Sequence, residues 1–214
     1  MARPYNAKAM KVFHATVDPS PEVTGNFSAR RFMARALFCY VLVDTVVLFT
    51  RIWAGPLTHM LGARHGDGPA VFFYWRTFLR ETVLDGNLPL WNPHILGGTP
   101  FVASLQSALF YPVTWLLLLL PVPLASTASR LVHMVIAPMG ARHLSRQLGA
   151  SNNGAFLGGL VFGLSSDVML RTVAGHECQL NALSWMPWIF SAAVTMSMGQ
   201  HRRGILLGSL FGGL

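Results

Sequence analysis

A chain of 214 residues that is 52% hydrophobic and only 11% charged falls well short of the roughly one-quarter charge of an ordinary soluble domain. Its net charge of +8 does not point to nucleic acid, because six of the sixteen Lys and Arg fall in the first 35 residues, where they orient a first helix. The cysteines, Cys39 and Cys178, lie in different segments and suggest neither a disulfide framework nor a metal site. The composition is that of an all-α, polytopic integral membrane protein.

Residues 1–32 are polar and basic and include Pro4, Pro19 and Pro21. No small-residue cleavage site follows a short apolar core, so the stretch reads as a cytoplasmic tail rather than a signal peptide. Residues 33–55 are the first expected span. Asp44 lies inside it and must face protein or water, since a charge in hydrocarbon is costly. A polar contact between helices explains Asp44 as well as a function does.

An outer loop is expected over residues 56–126. It opens on a polar turn carrying His59, Arg64, His65 and Asp67. Phe72, Trp75, Leu79 and Thr82 or Val83 then recur at helical spacing, with Pro69 suited to a first turn and Gly86 to a helix end. This helix is too charged to cross and belongs along the membrane surface. Arg76 and Arg80 stand one turn apart on it, and the plain reading of both is snorkelling to lipid headgroups.

The chain is organised around the next stretch, GNLPLWNPHILGGTPFVASLQSALFYP, residues 86–112. Pro89, Pro93, Pro100, Gly86, Gly97 and Gly98 forbid a long helix through its first half. Its aromatic and amide side chains argue against disorder, so it reads as an ordered loop that builds a site. The segment between Pro112 and Pro121 is too short to span about 30 Å of hydrocarbon and is expected to be interfacial or re-entrant.

Residues 127–147, 152–170 and 180–198 are the remaining expected spans. In the second, Gly154, Gly158, Gly159 and Gly163 set small residues one turn apart, suited to close helix packing. Another apolar run starts at Gly204 and stops short of a span, so the chain reads as the N-terminal part of a longer protein. If the Phe110–Pro121 segment does not cross, the N-terminal tail, the Arg142–Arg146 turn and the His201–Arg203 turn share one side of the membrane. Five of the eight acids, Asp67, Glu81, Asp85, Asp167 and Glu177, then gather at the other side, with the organising loop.

The run LPLWNPHILGGTPFVASLQSALFYP resembles the first outer loop of the bacterial YfhO family, whose members have the C-type glycosyltransferase (GT-C) helical fold. The likeness continues through RHLSRQLGASNNGAFLGGLVFGLSSDVMLRTVAGHECQLNALSWMPWI and reaches back to Gly66-Asp67, covering residues 60–200. Two departures stand out: FFYWR lacks the proline usual among those aromatics, and family members are several times longer.

The resemblance implies transfer of a sugar from a polyprenyl-phosphate donor, drawn from the membrane lipids, to a cell-envelope glycan acceptor on the outer face. Asp67 would be the general base for the acceptor hydroxyl. Arg76, Arg80, Arg171 and His176 are available for the leaving phosphate. Trp91, Asn92, Gln106, Tyr111 and Glu177 complete the candidate substrate-binding set. A divalent metal is compatible with this chemistry, although no ligand spacing marks one.

Each choice has an architectural counterpart. Gly66-Asp67-Gly68 is also an ordinary turn. Trp91 suits an interface, Asn92 a turn, and Gln106 a backbone hydrogen bond within the loop. His176 and Glu177 suit a solvated loop, and Trp185 and Trp188 suit helix or lipid packing. The rival function is a lipid-linked sugar flippase or other transporter, or an envelope assembly scaffold. A transporter should carry polar groups deep in several spans; here only Asp44 reads as deep, which favours an interfacial enzyme.

Overall fold

The computed structural model of the protein describes residues 32, 35–42 and 66–213. Asp44, the basic tail to residue 31 and the turn with His59, Arg64 and His65 lie outside them. The described residues are mostly helical, in keeping with an all-α fold, with one two-stranded ribbon of two residues a side.

Residues 35–42 form α1. Gly68–Phe72 is a wide π turn that leads into α2, Phe73–Leu84. Pro69 sits in its first turn, where its missing N–H leaves no helical bond unmade. Gly86, at φ +80°, turns the chain away after Asp85. The π turn buries Phe72, and α2 buries Leu79 on one face.

The organising loop folds back onto that face. Strands β1 (Trp91–Asn92) and β2 (Thr99–Pro100) pair antiparallel, Trp91 opposite Pro100 and Asn92 opposite Thr99. The turn between them holds Leu96, Gly97 and Gly98 at positive φ. Gly98 has a second reason to be glycine: a Cβ there would sit 2.6 Å from the Trp91 ring. Beyond the ribbon, Phe101 and Leu109 close on Leu79, with Trp75, Phe78 and Leu118 around them. Burying each of these large side chains contributes about 1.5–3 kcal/mol. A 3₁₀ turn, Leu105–Ser107, and the short helix α3, Pro112–Leu116, complete the loop.

A bundle follows: α4 (Val122–Gln147), α5 (Asn152–Gly163), α6 (Ser166–Ala174), α7 (Glu177–Ser197) and α8 (His201–Gly212). Helix α4 packs against α5 on one side and α7 on the other, and α8 packs on α7. The Ser151 side chain caps α5 by accepting the Gly154 N–H at 3.1 Å. Small residues let the backbones approach: a Cβ on Gly159 would meet the Pro138 carbonyl at 2.7 Å, and one on Gly163 the Pro138 ring at 3.0 Å. Gly154 instead faces its own cap. Tyr40 of α1 donates to the Phe156 carbonyl at 3.0 Å and stacks on the Phe156 ring.

Among the described residues one stretch is long and apolar enough to cross a membrane: Asn152–Ala174, with a mean hydropathy of 1.3. It comprises α5 and α6, which break at Leu164–Ser165 inside the span expected over 152–170. Helices α4 and α7 have 26 and 21 residues, about 39 and 31 Å at 1.5 Å per residue. Their lengths suffice, but polar side chains lower their hydropathy. Those side chains point inward: Ser126, Ser129, Arg130 and His133 on α4, and Asn181, Ser184, Ser191 and Thr195 on α7, are all buried. The outward faces carry Leu157, Val161, Leu170, Phe190 and Leu206, more than half exposed.

Candidate functional site

The site is built where the last turn of α6 meets the π turn before α2. Gly175 ends α6 at φ +83°, and its backbone lies so close to the π turn that a Cβ would sit 2.5 Å from the Gly68 nitrogen. This contact sets the next two residues, His176 and Glu177, against the start of α2 and one of its turns.

His176 meets Asp67: Nε2 and Oδ2 are 3.2 Å apart, with the side chains 36% and 56% exposed. Asp67 thus keeps a carboxylate oxygen in solvent while the imidazole orients the group. Glu177 turns inward and meets Arg76 at 3.2 Å, with side-chain exposures of 2% and 12%. Its second oxygen accepts from Ser126 Oγ at 3.1 Å. The Arg76 guanidinium also donates to the Ser107 carbonyl and Thr114 Oγ1, both at 3.1 Å. That pair bolts α2, the organising loop, α4 and α7 together. Arg76 is thereby engaged by protein, whereas among the described residues Arg80 has one partner, the Leu120 carbonyl, to which its Nε donates at 3.2 Å.

Tyr111 enters the same interior from the end of the loop. Trp185 Nε1 donates to its hydroxyl at 2.9 Å, and the hydroxyl is hydrogen-bonded to His133 Nε2. His133 Nδ1 lies 2.6 Å from the Ser129 carbonyl and must carry its proton toward it. The chain then runs in one direction, from Trp185 N–H through Tyr111 O–H to His133, with every donor meeting an acceptor. Burial raises the Tyr111 phenol above its ordinary 10.0, outweighing the lowering by the Trp185 hydrogen bond, so the hydroxyl stays a donor.

The other candidates lie apart from this turn or meet it only through backbone. Arg171 turns to Asp167 (2.9 Å) and to Gln179 on the exposed surface. Trp91 is 56% exposed and covers Gly98. Asn92 is buried, and its Oδ1 accepts the His94 N–H at 2.9 Å, a local turn bond. The Gln106 side chain is exposed, while its carbonyl accepts the Cys178 thiol at 2.9 Å. A groove of about 470 Å³ runs between the ribbon and α2, lined by Tyr74, Phe78, Asn92 and His94. Both described cysteines are free, and among the described residues no group of three or more His, Cys, Asp or Glu stands where it could hold a metal ion.

Compared with family models, curated proteins and solved structures, the chain matches none.

Sequence reasoning overlooked Arg130 and His133. Both are wholly buried, in a stretch read only as a span. A signal was present: Ser126, Arg130 and His133 fall at i, i+4 and i+7, a polar stripe running into the interior side of one helix.

Proposed function

We propose that this protein is a multi-pass membrane protein of GT-C-like architecture, which transfers a sugar from a polyprenyl-phosphate donor to a cell-envelope glycan acceptor. It belongs to the bacterial inner membrane, with its N-terminus cytoplasmic. The polarity of the bundle supports the membrane placement: polar side chains line the inside of α4 and α7, while large apolar ones face out. In water such an arrangement would leave extended apolar surface uncovered; in lipid it is the expected one.

One observation carries the catalytic reading. The consecutive residues His176 and Glu177 hold Asp67 and Arg76, so the candidate base and the cationic helix are joined on a single turn. Asp67 takes the acceptor hydroxyl proton as the new bond from that oxygen to the anomeric carbon forms. The bond from that carbon to the phosphate oxygen breaks, and its electron pair leaves with the phosphate. Arg80, whose terminal nitrogens have no partner among the described residues, is the cation left on α2 to meet the charge that develops on the phosphate.

The test is sugar transfer from a polyprenyl-phosphate donor in vesicles. Asp67→Asn keeps the shape of the side chain and removes the proton acceptor, so transfer should fall about 10²–10⁴-fold. Folded yield should not change. Near-normal transfer by this variant would remove Asp67 from the mechanism. A flippase or other carrier would move lipid-linked sugar across vesicles without depending on that carboxylate.

A further inference from the structure

Between Asp85 and Arg130 the chain carries no Asp, Glu, Lys or Arg. That stretch contains the organising loop, and packing uses only part of its apolar surface. Phe101, Leu109 and Tyr111 are buried, whereas Leu88, Leu90, Trp91, Phe110, Leu116 and Leu119 are more than half exposed. Single exposed apolar side chains are ordinary on a surface that faces water. A long run of them without any formal charge is not.

The tip of the β1–β2 ribbon is the extreme case. Leu96 holds φ at +50° and is 92% exposed. A left-handed backbone disfavours side chains with a Cβ, and Asn or Gly tolerates it better than Leu. Leu96 therefore strains its own turn and is packed against almost nothing. Beside it Gly97 faces open space, since a Cβ there would meet no atom within 4 Å. The fold is better served at this position by asparagine; an apolar phase outside the chain is better served by leucine.

The finger that carries Leu96 is stiff. The Gly98 N–H donates to the Ile95 carbonyl at 2.8 Å, the His94 N–H donates to Asn92 Oδ1, and the Trp91 ring covers Gly98. Pro89, Pro93 and Pro100 fix φ around it. Asn92 is buried beneath it, and Phe101 ties it to Leu79 of α2. Its shape is set in advance, so placing it in another phase costs little ordering.

A bilayer suits this finger better than a protein partner does. Protein interfaces carry a polar rim, and this stretch supplies no charge for one. Lipid asks for the absence of charge at the tip and favours a tryptophan at the boundary. The nearest acids, Glu81 and Asp85, stand at the end of α2 and are exposed. Backbone outside a helix is not tolerated in hydrocarbon, so entry must be shallow.

We infer that the ribbon is a lipid anchor: the Leu96 side chain reaches the upper acyl chains, Leu90 and Trp91 rest at the headgroup boundary, and the backbone stays in the hydrated layer. The inference rests on the membrane placement under Proposed function and not on sugar transfer.

The experiment places nitroxide labels at single cysteines in the full chain in nanodiscs, on a Cys39→Ala and Cys178→Ser background. A hydroxyl in place of the Cys178 thiol can still donate to the Gln106 carbonyl. Label collisions with oxygen, which concentrates among acyl chains, are compared with collisions with a water-soluble nickel chelate. The oxygen-to-nickel ratio should be high at Leu157 on the outward face of α5, raised at Leu96, and lowest at Asp85. Leu96→Asp should withdraw the finger and lower the ratio at position 90. In detergent, Leu96→Asn relieves the backbone and should raise the thermal midpoint. A ratio at Leu96 no higher than at Asp85, with Leu157 high, overturns the anchor and leaves the membrane placement standing. Low ratios at Leu96 and Leu157 alike overturn both. A label at Leu96 closed to both reagents means that protein covers the tip, which overturns lipid as its occupant. An unchanged ratio at position 90 in Leu96→Asp, or a lowered midpoint in Leu96→Asn, overturns Leu96 as the anchoring side chain.

Discussion

Two ion pairs leave neighbouring residues of one turn and meet opposite fates. His176 and Asp67 stay in solvent, while Glu177 and Arg76 are sealed beneath the organising loop. The backbone between them differs by a single residue, so alternation along the chain, and not distance, separates the two environments. A sealed pair with its hydrogen bonds made holds elements together, and removing one partner leaves an uncompensated charge. An exposed pair adds little to stability and keeps its groups available for chemistry.

The contrast is sharpest at Glu177. Glu177→Gln strands Arg76 and Arg130 without a counter-charge and should lower stability by about 3–5 kcal/mol, read from denaturation in detergent. A loss below about 1 kcal/mol would mean that water reaches the pair. Gly175→Ala attacks the link between the two pairs. Alanine at positive φ, with its Cβ driven against Gly68, should destabilise by about 2 kcal/mol or more and separate His176 from Asp67. Histidine chemical shifts that still respond to Asp67→Asn in that background would show the link intact.

Tyr111→Phe leaves the Trp185 N–H and His133 Nε2 unpaired in the interior and should remove about 1–2 kcal/mol. The sign of its pH dependence follows from the raised phenol. The Tyr111 contribution is complete below the ordinary 10.0 and is lost as pH rises above it toward the folded-state value. The variant should lack that alkaline component of the wild-type stability curve. The smallest effect belongs to Asp67→Asn, within about 0.5 kcal/mol for an exposed group, measured by the same denaturation. A larger loss would make the open pair structural and dissolve the contrast.

Local and compositional features were the legible ones. The Pro69 start and Gly86 end of the surface helix, the glycines opposite Pro138 and the non-helical first half of the organising loop all follow from backbone chemistry visible in the residues. The pairings were not visible. Asp67 and His176 are separated by more than a hundred positions, and nothing in GHECQ says that His turns out while Glu turns in. The Arg76 and Arg171 side chains read alike as available cations. One is engaged across the fold by Glu177 and the loop, a tertiary contact the sequence does not show, and the other by Asp167 one helical turn before it, an i, i+4 pair that was open to view. Asn92 and Trp91 read as site residues because of their chemistry, and folding gives them local partners in the ribbon.

The span between Arg76 and Glu177 also has a temporal side. Their contact joins residues 101 apart in the chain. At about 5–20 residues per second, a ribosome that has released Arg76 needs roughly 5–20 s more to deliver its partner. Throughout that interval α2 carries an arginine whose final neighbour does not yet exist. On the membrane placement proposed above, the membrane–water boundary would hold such a helix meanwhile, with Leu79 against acyl chains and the guanidinium among headgroups. The pair between Arg76 and Glu177 can therefore close only after Glu177 emerges, well after the residues of the organising loop are made.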